Sequence, residues 1–242
     1  MKSLKLSIVS HGQGDIVREL LDDLSGLDLS AFASTEVFVT LNIPEDEAFL
    51  RSSRLPLNII RNVRPIGFGA NHNQAFSYSP CDFFTILNPD IRLKKDFLFS
   101  ELCDLMGSNA GVVGPLVLDP LNRIEDSARR YPTLVRIAIR VIFKHRVPDY
   151  SFQENATVSV DWMAGMVLVF DSIAYKLING FDDRFFMYLE DADICRRLNR
   201  LGCPVIQCTS QSVIHDARRS SLKSISHMKW HLRSLLRFLF KF

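Results

Sequence analysis

Short apolar runs alternate with amphipathic segments through the first half of this chain, and that alternation admits few folds. Residues 4–10, 36–41 and 57–61 read as strands, and residues 82–87 form a near-continuous apolar strand, the pattern of an interior parallel strand covered on both faces. Between them lie predicted helices: residues 15–24, with Ile16, Leu20, Leu21 and Leu24 on one face, and residues 70–78. A helix over 95–106 and a strand over 111–118 continue the series. Strands joined through helices pair in parallel, so an α/β fold is expected, with a central mostly parallel sheet of the doubly wound type flanked by helices. Such sheets bind ligands beyond the carboxyl ends of their strands, here His11, Asn42, Asn62 and the segment Asn88-Pro89-Asp90.

The alternation breaks at Asp119. Residues 120–148 carry the pair Arg129-Arg130 and an apolar segment, 134–143, interrupted by Arg136 and Arg140, which reads as an amphipathic helix or a flap. Strand character returns over 158–170 around Trp162-Met163-Ala164-Gly165. A short helix over 171–178, a turn at Gly180-Phe181-Asp182, a helix over 191–201 stopped by Gly202 and a last strand over 204–208 follow. One domain is expected over residues 1–216, with a basic amphipathic extension over 217–242. At 242 residues and 47% apolar composition the chain can bury one substantial core, which excludes disorder for most of its length. Its net charge of +2 gives no reason to expect nucleic acid as a partner, and none is expected. The five cysteines lie singly, as buried thiols in a reducing compartment do. No apolar window is long enough to span a bilayer, and the chain opens directly into a strand pattern, so a cytoplasmic setting is expected.

Asp90 stands just past an apolar strand, with Pro89 stiffening the turn before it. One carboxylate plus phosphate oxygens is a natural shell for a hard divalent cation, while a plain turn or helix-cap role fits the local pattern equally well. Glu190, Asp191 and Asp193 put three acids within four residues at a helix start, one more than a cap requires. One of them is a candidate general base with a neighbour orienting a sugar; the alternative is acids favoured by the helix dipole. His215, followed by Arg218 and Arg219, is suited to closing over a diphosphate, or is an ordinary surface histidine. Gly67-Phe68-Gly69-Ala70-Asn71 matches neither a Walker loop nor a full dinucleotide fingerprint, and no nucleophile elbow is present.

Taken as a set, Ser10-His11-Gly12, the loop over 62–73, Leu87-Asn88-Pro89-Asp90, Asp161 to Gly165, Asn179 to Asp182, Phe185 to Asp193 and His215 resemble the inverting family 2 glycosyltransferases of the GT-A fold. Within that family the chain is most similar to bacterial rhamnosyltransferases of O-antigen and cell-wall assembly, in order over about residues 4–235. The resemblance implies L-rhamnose transfer from dTDP-L-rhamnose to N-acetylglucosamine on a polyprenyl diphosphate. It implies Mg²⁺ or Mn²⁺ held by Asp90 and His215, with Asn88 in place of the first acid of the usual Asp-x-Asp motif. It makes Asp191 the base and Glu190 its acceptor-side neighbour. Trp162, Gly165 and Asp193 then fall in the donor and acceptor pocket, and His11, Asn42, Asn62, Gly69, Asn71, Asn88 and Arg218 on the donor. One departure touches the nucleobase: the second strand ends Thr40-Leu41-Asn42-Ile43 where the family usually has Asp-Asn-x-Ser.

From Ile225 onward apolar residues share one helical face, with Lys229, Arg233, Arg237 and Lys241 beside it. Such a helix either lies on an anionic bilayer, with Trp230, Phe238, Phe240 and Phe242 at the interface, or packs on the core or on a second copy in a homodimer. A lipid-diphosphate acceptor favours a peripheral site on the cytoplasmic face of the bacterial inner membrane. The rival functions are transfer of another hexose from a UDP-sugar, and a catalytically inactive nucleotide- or lipid-binding homologue.

Overall fold

The computed structural model describes residues 1–143, 149–216 and 225–241. The first half alternates as the sequence predicts, apart from a short helix over 48–51 that it does not predict: β1 (Ser3–Ser10), α1 (Gly14–Ser25), β2 (Ser34–Leu41), α2 (Ala48–Arg51), β3 (Leu57–Arg61), α3 (Phe68–Ser77) and β4 (Phe83–Leu87). Then come β5 (Ile91–Leu93), α4 (Phe99–Asp104), β6 (Val112–Leu118), β7 (Ala128–Arg129), α5 (Leu134–Phe143) and β8 (Thr157–Val160). The chain finishes with β9 (Trp162–Met163), β10 (Val167–Asp171), α6 (Ser172–Leu177), α7 (Glu190–Arg200), β11 (Val205–His215) and α8 (Ile225–Phe240). The main sheet runs β3-β2-β1-β4-β10-β6-β11-β5, with β8 also on β11, while β7 and β9 form a separate ribbon. Its β3-β2-β1-β4 half is parallel, as is the β6–β11 pair. Every residue of β4 is buried, as its apolar run predicts.

Two departures from the expected pattern build the site. The predicted strand over 158–170 divides into β8, β9 and β10, and β10 enters the sheet antiparallel to both β4 and β6. An antiparallel strand presents its amino end where a parallel one would present its carboxyl end, so Val167 pairs with Leu87 and the Met166 carbonyl accepts the Asn88 N–H at 2.8 Å. The last strand runs on to His215 instead of stopping at Cys208, with a register shift between Cys208 and Ser212. Beyond the shift its edge leaves β8 and pairs with β5, which sets His215 opposite Ile91.

Packing on the two faces of the sheet is apolar, with one buried charge of note. Lys5 is fully buried, and its ammonium donates to the carbonyls of Ala75, Phe76 and Ser79 at the end of α3, satisfying groups the helix leaves open. The helix predicted over 95–106 is shorter, since Phe97 is buried beside Phe99 and the Leu98 N–H is taken by Gln211 Oε1. The C-terminal helix departs from the interfacial reading at two residues. Phe238 is buried under the Arg196 guanidinium, and Trp230 packs against Phe186 with the rings tilted by 42° rather than turning outward. Phe240 is exposed as expected, and Phe242 lies outside the described residues.

Candidate active site

The carboxyl end of β4 delivers Asp90, and the end of β11 delivers His215 beside it. The His215 Nε2 lies 3.2 Å from Asp90 Oδ2, and its Nδ1 lies 2.8 Å from Glu125 Oε2. The Asn88 amide donates to the other Asp90 oxygen at 2.7 Å, and the Asp216 N–H to the Asp90 carbonyl at 2.9 Å. Burial opposes charging of the ring, but its bonds to Asp90 and Glu125 outweigh that and lift the His215 pKa from 6.5 to about 9. Glu125 was not legible in the sequence, because it sits beside Asp126 in an irregular stretch with no motif around it.

Among the described residues no group of three or more His, Cys, Asp or Glu is arranged to hold a metal by itself. The donor set nonetheless fits a divalent cation that takes its remaining ligands from phosphate and water. Asp90 offers a carboxylate, His215 an imidazole, and Glu125 fixes the far ring nitrogen, as the partners of metal-ligating histidines do.

The second cluster opens α7. Asp191 Oδ2 accepts the Gly165 N–H at 3.1 Å, so the turn between β9 and β10 holds this carboxylate close to the end of β4. Its other oxygen accepts the Ala192 N–H at 2.8 Å. Burial raises the Asp191 carboxyl above its ordinary 3.8, with these two N–H groups and the Arg129 charge holding part of the rise back. Glu190 is more deeply buried, and among the described residues its Oε2 has no hydrogen-bond partner. Burial first, then the Asp191 charge, pushes its carboxyl well above the usual range.

A cavity of about 320 Å³ reaches the first cluster at Asn88, and is lined in part by His11, Asn42, Phe68, Asn71, Asn88 and Trp230. Three asparagines shape its loop wall. Asn62 donates to Asn42 Oδ1 at 3.0 Å and to Asn71 Oδ1 at 2.7 Å, and Asn42 Oδ1 also accepts the Ile66 N–H at 2.9 Å. The Asn42 amide donates to the Ile66 carbonyl at 3.1 Å and lies 3.4 Å from His11 Nδ1, so its hydrogen-bonding groups are engaged in holding the loop. Gly67 permits this loop to touch the chain before α7: a Cβ there would lie 2.9 Å from backbone atoms of Phe185 and Phe186. Gly69 packs directly on the Phe181 side chain, a contact no larger residue allows.

No protein-family model matches the chain. Over 254 residues it is 29% identical to the rhamnosyltransferase WbbL of Escherichia coli strain K12, spanning 96% of this chain and 90% of that one. It is 30% identical over 169 residues to the N-acetylglucosaminyl-diphospho-decaprenol L-rhamnosyltransferase of Mycobacterium tuberculosis, covering 65% of this chain and 55% of the relative. Among solved structures, GalNAc-T7 with UDP, GalNAc and Mn²⁺ superposes with a TM-score of 0.70 at 12% identity, over 98% of this chain and 47% of that one. The chain is a glycosyltransferase with a GT-A type of fold.

The structure of the enzyme brings together most of the residues that the sequence singled out. His11, Asn42, Asn71 and Asn88 share one cavity, Asn62 braces it, and Asn88 in turn bonds Asp90, which meets His215. Gly165 and Asp191 are joined directly. Trp162 is buried, its indole N–H on the Arg130 carbonyl and the Arg129 guanidinium over its ring. Asp193 is fully buried between Arg197 and Lys241, at 2.8 and 2.7 Å, and is not among the residues lining that cavity. Arg218 lies outside the described residues. No described helix is long and apolar enough to cross a membrane.

Proposed function

We propose that the enzyme transfers L-rhamnose from dTDP-L-rhamnose, with inversion, to N-acetylglucosamine carried on a polyprenyl diphosphate, in O-antigen or cell-wall polysaccharide assembly. The observation that carries this reading is the nearly end-to-end likeness to a rhamnosyltransferase, laid over a site that pairs a cation cluster with a raised-pKa carboxylate. Asp191, steadied by the Gly165 and Ala192 N–H groups, takes the proton of the acceptor hydroxyl as that oxygen attacks the anomeric carbon from the face opposite the nucleotide. The bond from that carbon to the diphosphate breaks and dTDP departs with its electron pair; a β-linked donor then gives an α-rhamnoside. Glu190, whose carboxyl burial and the Asp191 charge push well above the usual range, is the less available of the two as a base at the start of the reaction. Asp90 and His215 would hold Mg²⁺ or Mn²⁺, which when bound supplies positive charge for the leaving diphosphate.

The second reading, a UDP-hexose donor, is admitted by one observation: the second strand ends Thr40-Leu41-Asn42-Ile43 without the base-reading acid usual in the family, and the Asn42 groups are engaged in the loop. Binding of a nucleoside diphosphate panel in Mn²⁺, followed by linkage analysis of products, separates the two. Preference for dTDP is expected, and preference for UDP sinks the rhamnosyl assignment. Attachment to the inner-membrane surface is supported by the outer stripe of α8, where Met228, Leu232, Leu236 and Phe240 are exposed with Lys229 and Arg233 beside them. Sedimentation with anionic vesicles is expected to fall when Leu232 and Leu236 are both changed to Glu; equal sedimentation removes the membrane role.

A further inference from the structure

Residues 185–189 link the donor cavity to the Glu190–Asp191 pair, and α8 touches this stretch residue after residue. Arg237 and Lys241 lie over the Phe185 ring at 5.7 and 5.5 Å. Trp230 packs on Phe186 at 4.9 Å between centroids, and Ser234 donates to the Met187 carbonyl at 2.8 Å. The Tyr188 hydroxyl is 2.7 Å from His227 Nδ1, and its ring is 5.3 Å from that of His231.

The clamped stretch ends in an unusual backbone. Tyr188 and Leu189 are consecutive bulky residues with φ of 71° and 63°, in the left-handed region that such side chains rarely adopt. A conformation of that kind persists only where its surroundings impose it, and here it turns the chain directly into Glu190. The distal half of α8 already accounts for its attachment to the core. Phe238 is buried, its carbonyl accepts Arg196 at 2.8 Å, and Lys241 pairs with Asp182 at 2.6 Å and Asp193 at 2.7 Å. Attachment alone therefore gives no reason for the proximal half to place His227 and Trp230 in the cavity that holds His11, Asn42 and Asn88.

We propose that α8 is a working wall of the active site. Trp230 contacts the nucleoside diphosphate of the donor, and His227, acting through Tyr188, is a positioning residue that fixes the strained turn before Glu190 and Asp191. An aromatic wall suits a base or ribose face, and a hydrogen bond at the strained turn suits a carboxylate whose placement sets the rate. The inference rests on the glycosyl-transfer reading and deepens it.

The test uses the full chain with Mn²⁺, titrating dTDP and UDP while following tryptophan fluorescence, to which only Trp162 and Trp230 contribute. Trp230→Phe is expected to weaken nucleotide binding on the order of tenfold and to remove most of the response. Tyr188→Phe is expected to leave the nucleotide Kd within about twofold while slowing turnover of the sugar nucleotide that the wild type uses on the order of tenfold. His227→Ala should match it, the double variant should be no slower than the slower single, and His227→Gln should recover part of the rate. Thermal unfolding of each variant corrects for folded fraction, which a purely structural role would account for in full. Wild-type affinity and response in Trp230→Phe, or wild-type turnover in Tyr188→Phe, overturns the inference while the donor reading stands. Failure of the wild type to bind either nucleotide overturns both.

Discussion

At the sheet edge, Asp90 shares its oxygens with Asn88 and His215, and Glu125 backs the ring from behind. At the start of α7, Asp191 is met by backbone N–H groups, and among the described residues one Glu190 oxygen is met by nothing. The first cluster settles its charge internally through a histidine that the two carboxylates help to protonate, and a divalent cation on Asp90 would take that proton's place. The second leaves a carboxylate under-solvated, which raises its affinity for a proton and suits it to take one from a hydroxyl. Two acidic clusters of similar appearance in the sequence thus differ in chemistry because one lies beside an imidazole and the other beside apolar packing.

The largest expected effect tests the assignment of the base. Asp191→Asn should lower transfer by roughly 10²–10⁴-fold while nucleotide binding in Mn²⁺ persists, measured by product formation and calorimetry. If binding is lost along with transfer, the two clusters are not separable. Next, Glu125→Gln should weaken Mn²⁺ binding by about 10–100-fold, read by electron paramagnetic resonance of free Mn²⁺ in the presence of dTDP. An unchanged affinity would reduce Glu125 to a packing partner.

A smaller effect concerns the acid side of the rate profile. The Asp191 carboxyl is raised by burial and held back in part by Arg129, so the acid limb of kcat/KM should fall above pH 3.8. Arg129→Gln should move that limb to higher pH, and a limb that stays in place assigns the titration elsewhere. The smallest effect is on stability. Glu190 binds its proton more tightly folded than unfolded, so its contribution is most favourable below 4.5 and declines as pH rises from there towards the raised folded pKa. At pH 7 Glu190→Gln should therefore raise Tm, by about 2–4 °C, with transfer through Asp191 retained, checked by calorimetry beside the assay.

The sites differ in how far they could be read in advance. Asn88-Pro89-Asp90 was legible because an apolar run followed by Pro and Asp marks a strand end, and Glu190-Asp191 because a helix start follows it. Glu125 was not, since it reaches His215 across 90 positions of chain without any local pattern. Nor were the left-handed Tyr188 and Leu189, whose side chains ordinarily argue against that conformation. Trp230 and Phe238 read equally well as interfacial or packed, because helical periodicity tells which residues share a face and not what the face meets.

By itself the sequence determined the alternating layers and the strand ends where polar residues collect, because both follow from periodicity and from residues that stop a strand or start a helix. It also marked Asp90, Asp191 and His215 as the groups with chemistry to offer. Tertiary structure alone decided how these meet. The antiparallel entry of β10 puts Gly165 on Asp191, the shift in β11 puts His215 on Asp90, and α8 folds back over residues 185–188. Each depends on contacts between distant parts of the chain, where burial and hydrogen bonding between elements outweigh what any local window encodes.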